Sequence, residues 1–223
     1  MIPKRKLDFV KSKIIEGCQC QTDTGCPKCR SQISRVTRYA QAGIPADYWL
    51  LSFKDFQGDP NFKKLISTQL KDISGLYNDG RSSAFVGNLG TGKTYAATSI
   101  LKRAIVAGYS AQYYHMDQVI RSSISPDSNE FYKEITGTDF ICIDEYDSRW
   151  VFPSEKSETL FGQTMESILR FRFQNNMPTI ICSNTEDVTK VLAGDFSRTT
   201  ESLFSKYVKV IYVAGKDFRK EHK

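Results

Sequence analysis

The sequence has no run of about 18 apolar residues, the least a membrane-crossing helix needs, so no such span is expected. Its basic start, Met1-Ile2-Pro3-Lys4-Arg5-Lys6, is not followed by the apolar stretch of a secretory signal. These two absences lead to the expectation of a cytoplasmic protein, a compartment where structural disulfides are rare. Most of the chain also lacks any charge excess. The net charge of +6 resides in residues 1–41, where Lys4, Arg5, Lys6, Lys11, Lys13, Lys28, Arg30, Arg35 and Arg38 face only Asp8, Glu16 and Asp23; the remainder is balanced. A basic end of this kind either meets nucleic acid or an acidic protein surface, or stands as a solvated arm. With 223 residues, 40% of them hydrophobic, the chain suffices for one α/β domain and a small appendage.

Cysteine is sparse outside one place. Cys142 and Cys182 lie in apolar runs and read as small core residues. The other four, Cys18, Cys20, Cys26 and Cys29, follow the spacing C-x-C-x5-C-x2-C, and Gly25-Cys26-Pro27-Lys28-Cys29 resembles a zinc knuckle. Four thiolates suit tetrahedral Zn²⁺ first and an iron–sulfur cluster second. A segment this short has little core of its own, and a metal would take its place. Residues 1–41 are therefore expected to form a basic zinc-binding module, and residues 42–223 a second domain. The boundary falls where Gly43-Ile44-Pro45 breaks a basic helix over 31–42.

The second domain is organised around Gly87-Asn88-Leu89-Gly90-Thr91-Gly92-Lys93-Thr94, which satisfies G-x-x-x-x-G-K-[ST] at every fixed position. A short strand, Ala84-Phe85-Val86, precedes it, and an apolar-faced helix over Tyr95 to Val106 follows. Glycines let backbone N–H groups curl around a β-phosphate, and the helix N-terminus adds partial positive charge. Lys93 is expected to bridge the β- and γ-phosphates of ATP, and the Thr94 hydroxyl to ligate Mg²⁺.

Further strands are expected over Ser110 to His115, Thr138 to Ile143, Pro178 to Cys182 and Tyr207 to Val213, with Asp117 capping a short helix after the first of these. Helices are expected over Asn61 to Tyr77 and Thr159 to Asn175, with loops over Ser123 to Asn129 and Ser148 to Glu158, the latter at a subunit contact. The aromatic-rich stretch of Tyr48, Trp49, Leu50, Leu51, Phe53 and Phe56 reads as core ahead of base stacking. The apolar run Phe140-Ile141-Cys142-Ile143 delivers Asp144-Glu145 to the end of a strand. That arrangement points to Asp144 holding Mg²⁺ through water and Glu145 polarising the attacking water. Asn184, after Pro178 to Cys182, either senses the γ-phosphate and the lytic water or caps a helix over Glu186 to Leu192.

In their order, these motifs resemble an AAA+ ATPase, and in finer pattern the DnaC/IstB family, which includes bacterial and phage replicative helicase loaders. The likeness runs over about residues 43–219 and rests on Gly43-Ile44-Pro45 with Tyr48 and Phe53, the phosphate loop, Ile143-Asp144-Glu145, Ser183-Asn184, Ser197-Arg198 and Gly215-Lys216-Asp217-Phe218-Arg219. It implies a P-loop AAA+ core with a five-stranded parallel sheet flanked by helices, with no C-terminal lid because the sequence stops four residues after Arg219. It also implies that Asn184 occupies the sensor 1 position and that Arg198 is an arginine finger completing a neighbour's site, although Thr199 stands where the family has leucine. The catalytic set is then Lys93, Glu145, Asn184 and Arg198. The implied function is ATP-dependent loading of a replicative DNA helicase onto single-stranded DNA, with self-association through the ATPase domains. Lys133, Arg149 and Lys156 either face that DNA or are simply solvated. The alternatives are an IstB-type transposition ATPase that binds double-stranded DNA and recruits a transposase, or a nucleotide-gated scaffold without turnover.

Overall fold

The computed structural model describes residues 4–18, 20, 25–146, 155–184 and 198–217, with backbone alone at 155–162, 198–201 and 203. Contacts divide the chain into two compact units, Met1–Ser52 and Phe53–Lys223, which groups residues 42–52 with the first.

The first unit is built on two packed helices, α1 (Lys4–Glu16) and α2 (Pro27–Gln41). The basic start is thus a helix, an element the sequence reading did not anticipate. Val10 and Ile14, four residues apart on one face of α1, are buried, as are Val36, Tyr39 and Ala40 of α2. Past α2, Gly43 takes φ 70° and the Ile44 N–H donates to the Tyr39 carbonyl. The Trp49 indole donates to the Ile44 carbonyl at 2.7 Å and is buried as expected of core, as are Phe53 and Phe56 in the second unit, whereas Leu50 and Leu51 are exposed against that expectation.

The second unit opens with α3 (Pro60–Lys71) and α4 (Ile73–Asn78). The single helix expected over Asn61 to Tyr77 is therefore two. Asp72 breaks it by accepting from the Gly75 N–H at 3.0 Å, so its side chain caps α4. Then come β1 (Ser82–Val86), α5 (Lys93–Ala107), β2 (Ala111–His115), α6 (Met116–Ser123), α7 (Ser128–Gly137), β3 (Phe140–Asp144), α8 (Glu155–Gln174), β4 (Thr179–Ser183), α9 (Arg198–Tyr207) and β5 (Val208–Tyr212). Asp117 lies in the first turn of α6 and is not its cap, which is His115. The loop expected over Ser148 to Glu158 ends earlier, because α8 begins at Glu155; residues 147–154 are outside those described, as are 185–197 and with them the helix expected over Glu186 to Leu192.

The five strands form one parallel sheet in the order β2-β3-β4-β1-β5, flanked by helices as expected. β1, β3 and β4 are buried at every position, which is why they read as near-continuous apolar runs. Edge strand β5 is only partly covered, with Val208 and Ile211 buried and Lys209 and Tyr212 exposed. Val86, Ile141, Ile143 and Ile181 share a core with Met165, Ile168, Leu169 and Phe173 of α8. Of the two phenylalanines near the end of α8, Phe173 is the inward one, and Phe171 is 40% exposed.

Among the described residues, the most deeply buried charge is that of an arginine. Arg172 of α8 is fully buried and donates to Thr179 Oγ1 at 2.9 Å and to the carbonyls of Ile135 (2.7 Å), Thr138 (2.8 Å), Asp139 (3.2 Å) and Pro178 (2.9 Å). It thereby fastens the C-terminal end of α7 and the starts of β3 and β4 to α8, supplying donors where helix carbonyls lack them. Burial draws its pKa down to about 9, which leaves it cationic at neutral pH. Replacing it strands those acceptors. Arg172→Met is expected to lower the unfolding free energy by at least about 3 kcal/mol, read from urea denaturation of the full chain. A loss under about 1 kcal/mol would remove Arg172 from this role.

Candidate nucleotide site and cysteine cluster

The phosphate loop leaves the C-terminal end of β1 and enters α5, with Gly92 as the N-cap at φ 93°. Gly92 brings no side chain to cap the first N–H groups of α5, and a Cβ there would collide with the buried ring of Phe56. Gly90, at φ 75°, is equally constrained, because a Cβ would run into the Asp217 carboxylate. The segment after β5 lies against the loop, and the Val213 N–H donates to the Val86 carbonyl at 2.7 Å. Asn88 and Leu89 lie on the outside of the turn, Leu89 with 56% of its surface exposed.

Lys93, the first residue of α5, is buried with its ammonium folded into its own loop. Nζ donates to the carbonyls of Gly87 (2.7 Å) and Asn88 (2.6 Å), and lies 3.4 Å from Thr91 Oγ1. An ammonium held by neutral carbonyls gains by exchanging them for phosphate oxygens, which are charged acceptors.

Strand β4 lies between β1 and β3, so Asp144 starts about 10 Å from the strand that carries the loop. Helix α5 spans that gap by packing over β4, β3 and β2. It brings Thr94 Oγ1 to within 2.8 Å of Asp144 Oδ2, to which it donates. A hydroxyl and a carboxylate side by side form the hard-oxygen donor set that suits Mg²⁺. Asp144 is 5% exposed; its Oδ1 accepts from the Glu145 N–H at 2.8 Å, and its Oδ2 also accepts from the Tyr113 hydroxyl at 2.6 Å. Burial first, and the Asp144 charge second, raise the Tyr113 pKa far above the ordinary phenol range, so it remains a donor.

Glu145 has φ 53°, the left-handed region that few residues without a glycine's freedom enter. Its Oε2 lies 3.6 Å from His115 Nδ1, at the end of β2 and in register with Asp144. Tyr113 and His115 were not singled out by the sequence, where they are ordinary strand residues. Only the pairing of β2 with β3 brings them to the acids. Asn184 directly follows β4 and is half-buried. Arg198 starts α9, but its side chain and residues Ser197 and Arg219 are outside those described, so the arginine-finger expectation has no geometry here. Of the three cations considered for DNA, Lys133 is exposed on α7; Arg149 and the Lys156 side chain are not among the described residues.

In the first unit the sulfurs of Cys18, Cys20, Cys26 and Cys29 all lie within 4.8 Å of one another. The Cys18–Cys26, Cys20–Cys29 and Cys26–Cys29 distances are 3.9, 3.8 and 3.7 Å. A tetrahedron with Zn–S bonds of about 2.3 Å has edges of about 3.8 Å, so the four sulfurs fit one such ion. Cys26 is the N-cap residue of α2, with no side-chain capping bond, and Cys29 lies in the first turn of the helix. Gly25 has φ 76°, and a Cβ there would collide with Cys29 Cβ. Hydrogen bonding first from the Cys29 backbone lowers the Cys26 pKa, while hydrogen bonding to Cys18 and burial push Cys29 up to about 12, a proton shared unevenly among crowded thiols.

A parallel sheet with this strand order, a phosphate loop after β1 and an acid pair ending β3 defines an AAA+-type P-loop domain. No protein-family model matches the chain. It is 25% identical over 183 residues to an IS21-like ATP-binding protein of an insertion sequence from Bacteroides fragilis, a match covering 78% of this chain and 62% of that protein. The chain therefore spans about 62% of the length of that curated relative. In structure it is similar to DnaI (TM-score 0.62, 17% identity, 81% of this chain and 98% of that one). It is also similar to the DnaC helicase loader (TM-score 0.61, 16% identity, 75% and 99%). The chain is thus similar in sequence to an IS21-like ATP-binding protein and in fold to DnaI and DnaC.

Two substitutions test the two sites. Lys93→Ala is expected to weaken ATP binding by at least about 100-fold, the loss of two charge-assisted hydrogen bonds, measured by calorimetry; retained affinity would contradict the loop assignment. Cys29→Ser is expected to take the zinc content of the purified chain from about one equivalent toward zero, measured by mass spectrometry of the metal. An unmodified chain purified without zinc, and unable to take it up, would rule out this site.

Proposed function

We propose that this chain is an ATPase that loads a replicative DNA helicase onto single-stranded DNA. The observation that carries the reading is the meeting of Thr94, Asp144 and Glu145 at the end of β3, beside a loop whose lysine is poised for phosphates. Support for the loading role comes from the fold likeness to the DnaC helicase loader, 99% of which is covered.

On this reading Lys93 leaves the Gly87 and Asn88 carbonyls for the β- and γ-phosphates, while the loop amides and the start of α5 hold the β-phosphate. Thr94 and Asp144 would hold Mg²⁺, which offsets charge on the phosphate oxygens when bound. Glu145 turns from His115 to polarise the attacking water, Asn184 orients that water, and Arg198 reaches a neighbouring subunit's site, tying turnover to self-association. The Cys18–Cys20–Cys26–Cys29 module binds Zn²⁺ and, with its basic helices, docks on the helicase.

A second reading, a transposition ATPase acting on double-stranded DNA, is favoured by the sequence match to the IS21-like ATP-binding protein. The two separate by which DNA stimulates turnover. Loading predicts several-fold faster ATP hydrolysis with single-stranded oligonucleotides and little effect of duplex; the transposition reading predicts the reverse. Glu145→Gln is expected to bind ATP normally and to lose turnover by at least about 100-fold in either case. Normal turnover by this variant would remove Glu145 from the mechanism.

A further inference from the structure

Asp144 is held by more than the threonine of the phosphate loop. Its Oδ2 accepts from two hydroxyls, Thr94 Oγ1 at 2.8 Å and Tyr113 at 2.6 Å, and its Oδ1 accepts from the Glu145 N–H. Tyr113 is 4% exposed and pairs in the sheet with Cys142, two residues short of the acid, so its phenol reaches along β3 to the carboxylate. A phenylalanine would fill the same core volume. The hydroxyl adds one thing, a fixed donor on a carboxylate whose terminal torsion is otherwise broad.

We propose that Tyr113 is a positioning residue for the metal-binding carboxylate. This rests on the reading that Thr94 and Asp144 take Mg²⁺ with ATP. When Thr94 Oγ1 turns a lone pair to a cation, its proton stays directed at Asp144, and the carboxylate must keep its orientation while its partner's charge environment changes. Tyr113 supplies an anchor from β2 that the ligand does not disturb. The edge-on ring contact between Tyr113 and His115, with centroids 5.7 Å apart at 80°, and the approach of His115 to Glu145 make β2 the brace for both acids. Tyr113 acts through Asp144, to which its hydroxyl donates.

The test is Tyr113→Phe, read by fluorescent-ATP binding in the full chain, once with excess EDTA and once across a Mg²⁺ titration. Tyr114→Phe is the control, since its buried hydroxyl bonds Glu134, away from the acids. The expected result is unchanged affinity in EDTA, a rise of about tenfold in the Mg²⁺ concentration needed for half of the metal-dependent gain, and no such rise in Tyr114→Phe. An unchanged Mg²⁺ requirement in Tyr113→Phe would overturn the proposal, as would an equal loss in EDTA, which would make Tyr113 a packing residue of the whole site. Absence of ATP binding by the unmodified chain under both conditions would overturn the nucleotide reading, and the role of Tyr113 with it.

Discussion

The hydrogen bond from Thr94 to Asp144 joins residues fifty positions apart, and the site exists only where that bond can form. Thr94 is fixed by the start of α5, and Asp144 by the end of β3, with the end of β4 between them. Parallel pairing places the C-terminal ends of all five strands on one edge of the sheet, where helix N-termini also point. The Ala-rich face of α5, with Ala96, Ala97, Ile100, Leu101 and Ala104 all buried, fixes the helix over the central strands and holds the threonine above the acid. The left-handed glycines at 90 and 92 are a consequence of that crossing, because the chain must turn sharply between β1 and α5 against Phe56 and Asp217.

The small unit rests on a different source of order. Its apolar interior is limited to residues such as Val10, Ile14, Val36, Tyr39, Ile44 and Trp49, too little to hold a segment of this size firmly. Four sulfurs at tetrahedral spacing, two from the start of α2 and two from the turn after α1, would supply with a bound metal ion the cross-link that such a core lacks. In the large unit the corresponding fastening is a buried cation, Arg172, which satisfies five acceptors at the end of the sheet away from the phosphate loop.

What was legible in the sequence was what local pattern dictates. The phosphate loop, the acid pair, the cysteine spacing and the five strands all announce themselves within ten or twelve residues. What was missed depends on contacts or on weak local signals. The charged face of α1 hid Val10 and Ile14, so the basic end was not read as a helix. A side-chain cap at Asp72 split a periodic run that hydrophobicity alone joins. Tyr113 and His115 gain meaning only from the register of β2 against β3, and Arg172 only from the ends of three other elements. Tertiary pairing of this kind leaves no mark on the neighbouring residues of one chain.

The central claim is that a triphosphate and Mg²⁺ meet at the Thr94–Asp144 contact. A crystal structure with a non-hydrolysable ATP analogue and Mg²⁺ measures this directly. The account predicts Lys93 Nζ moved from the Gly87 and Asn88 carbonyls onto the β- and γ-phosphates, with the metal beside Thr94 Oγ1 and Asp144. A nucleotide bound elsewhere, with Lys93 still on those carbonyls and no metal at the acid, would contradict it.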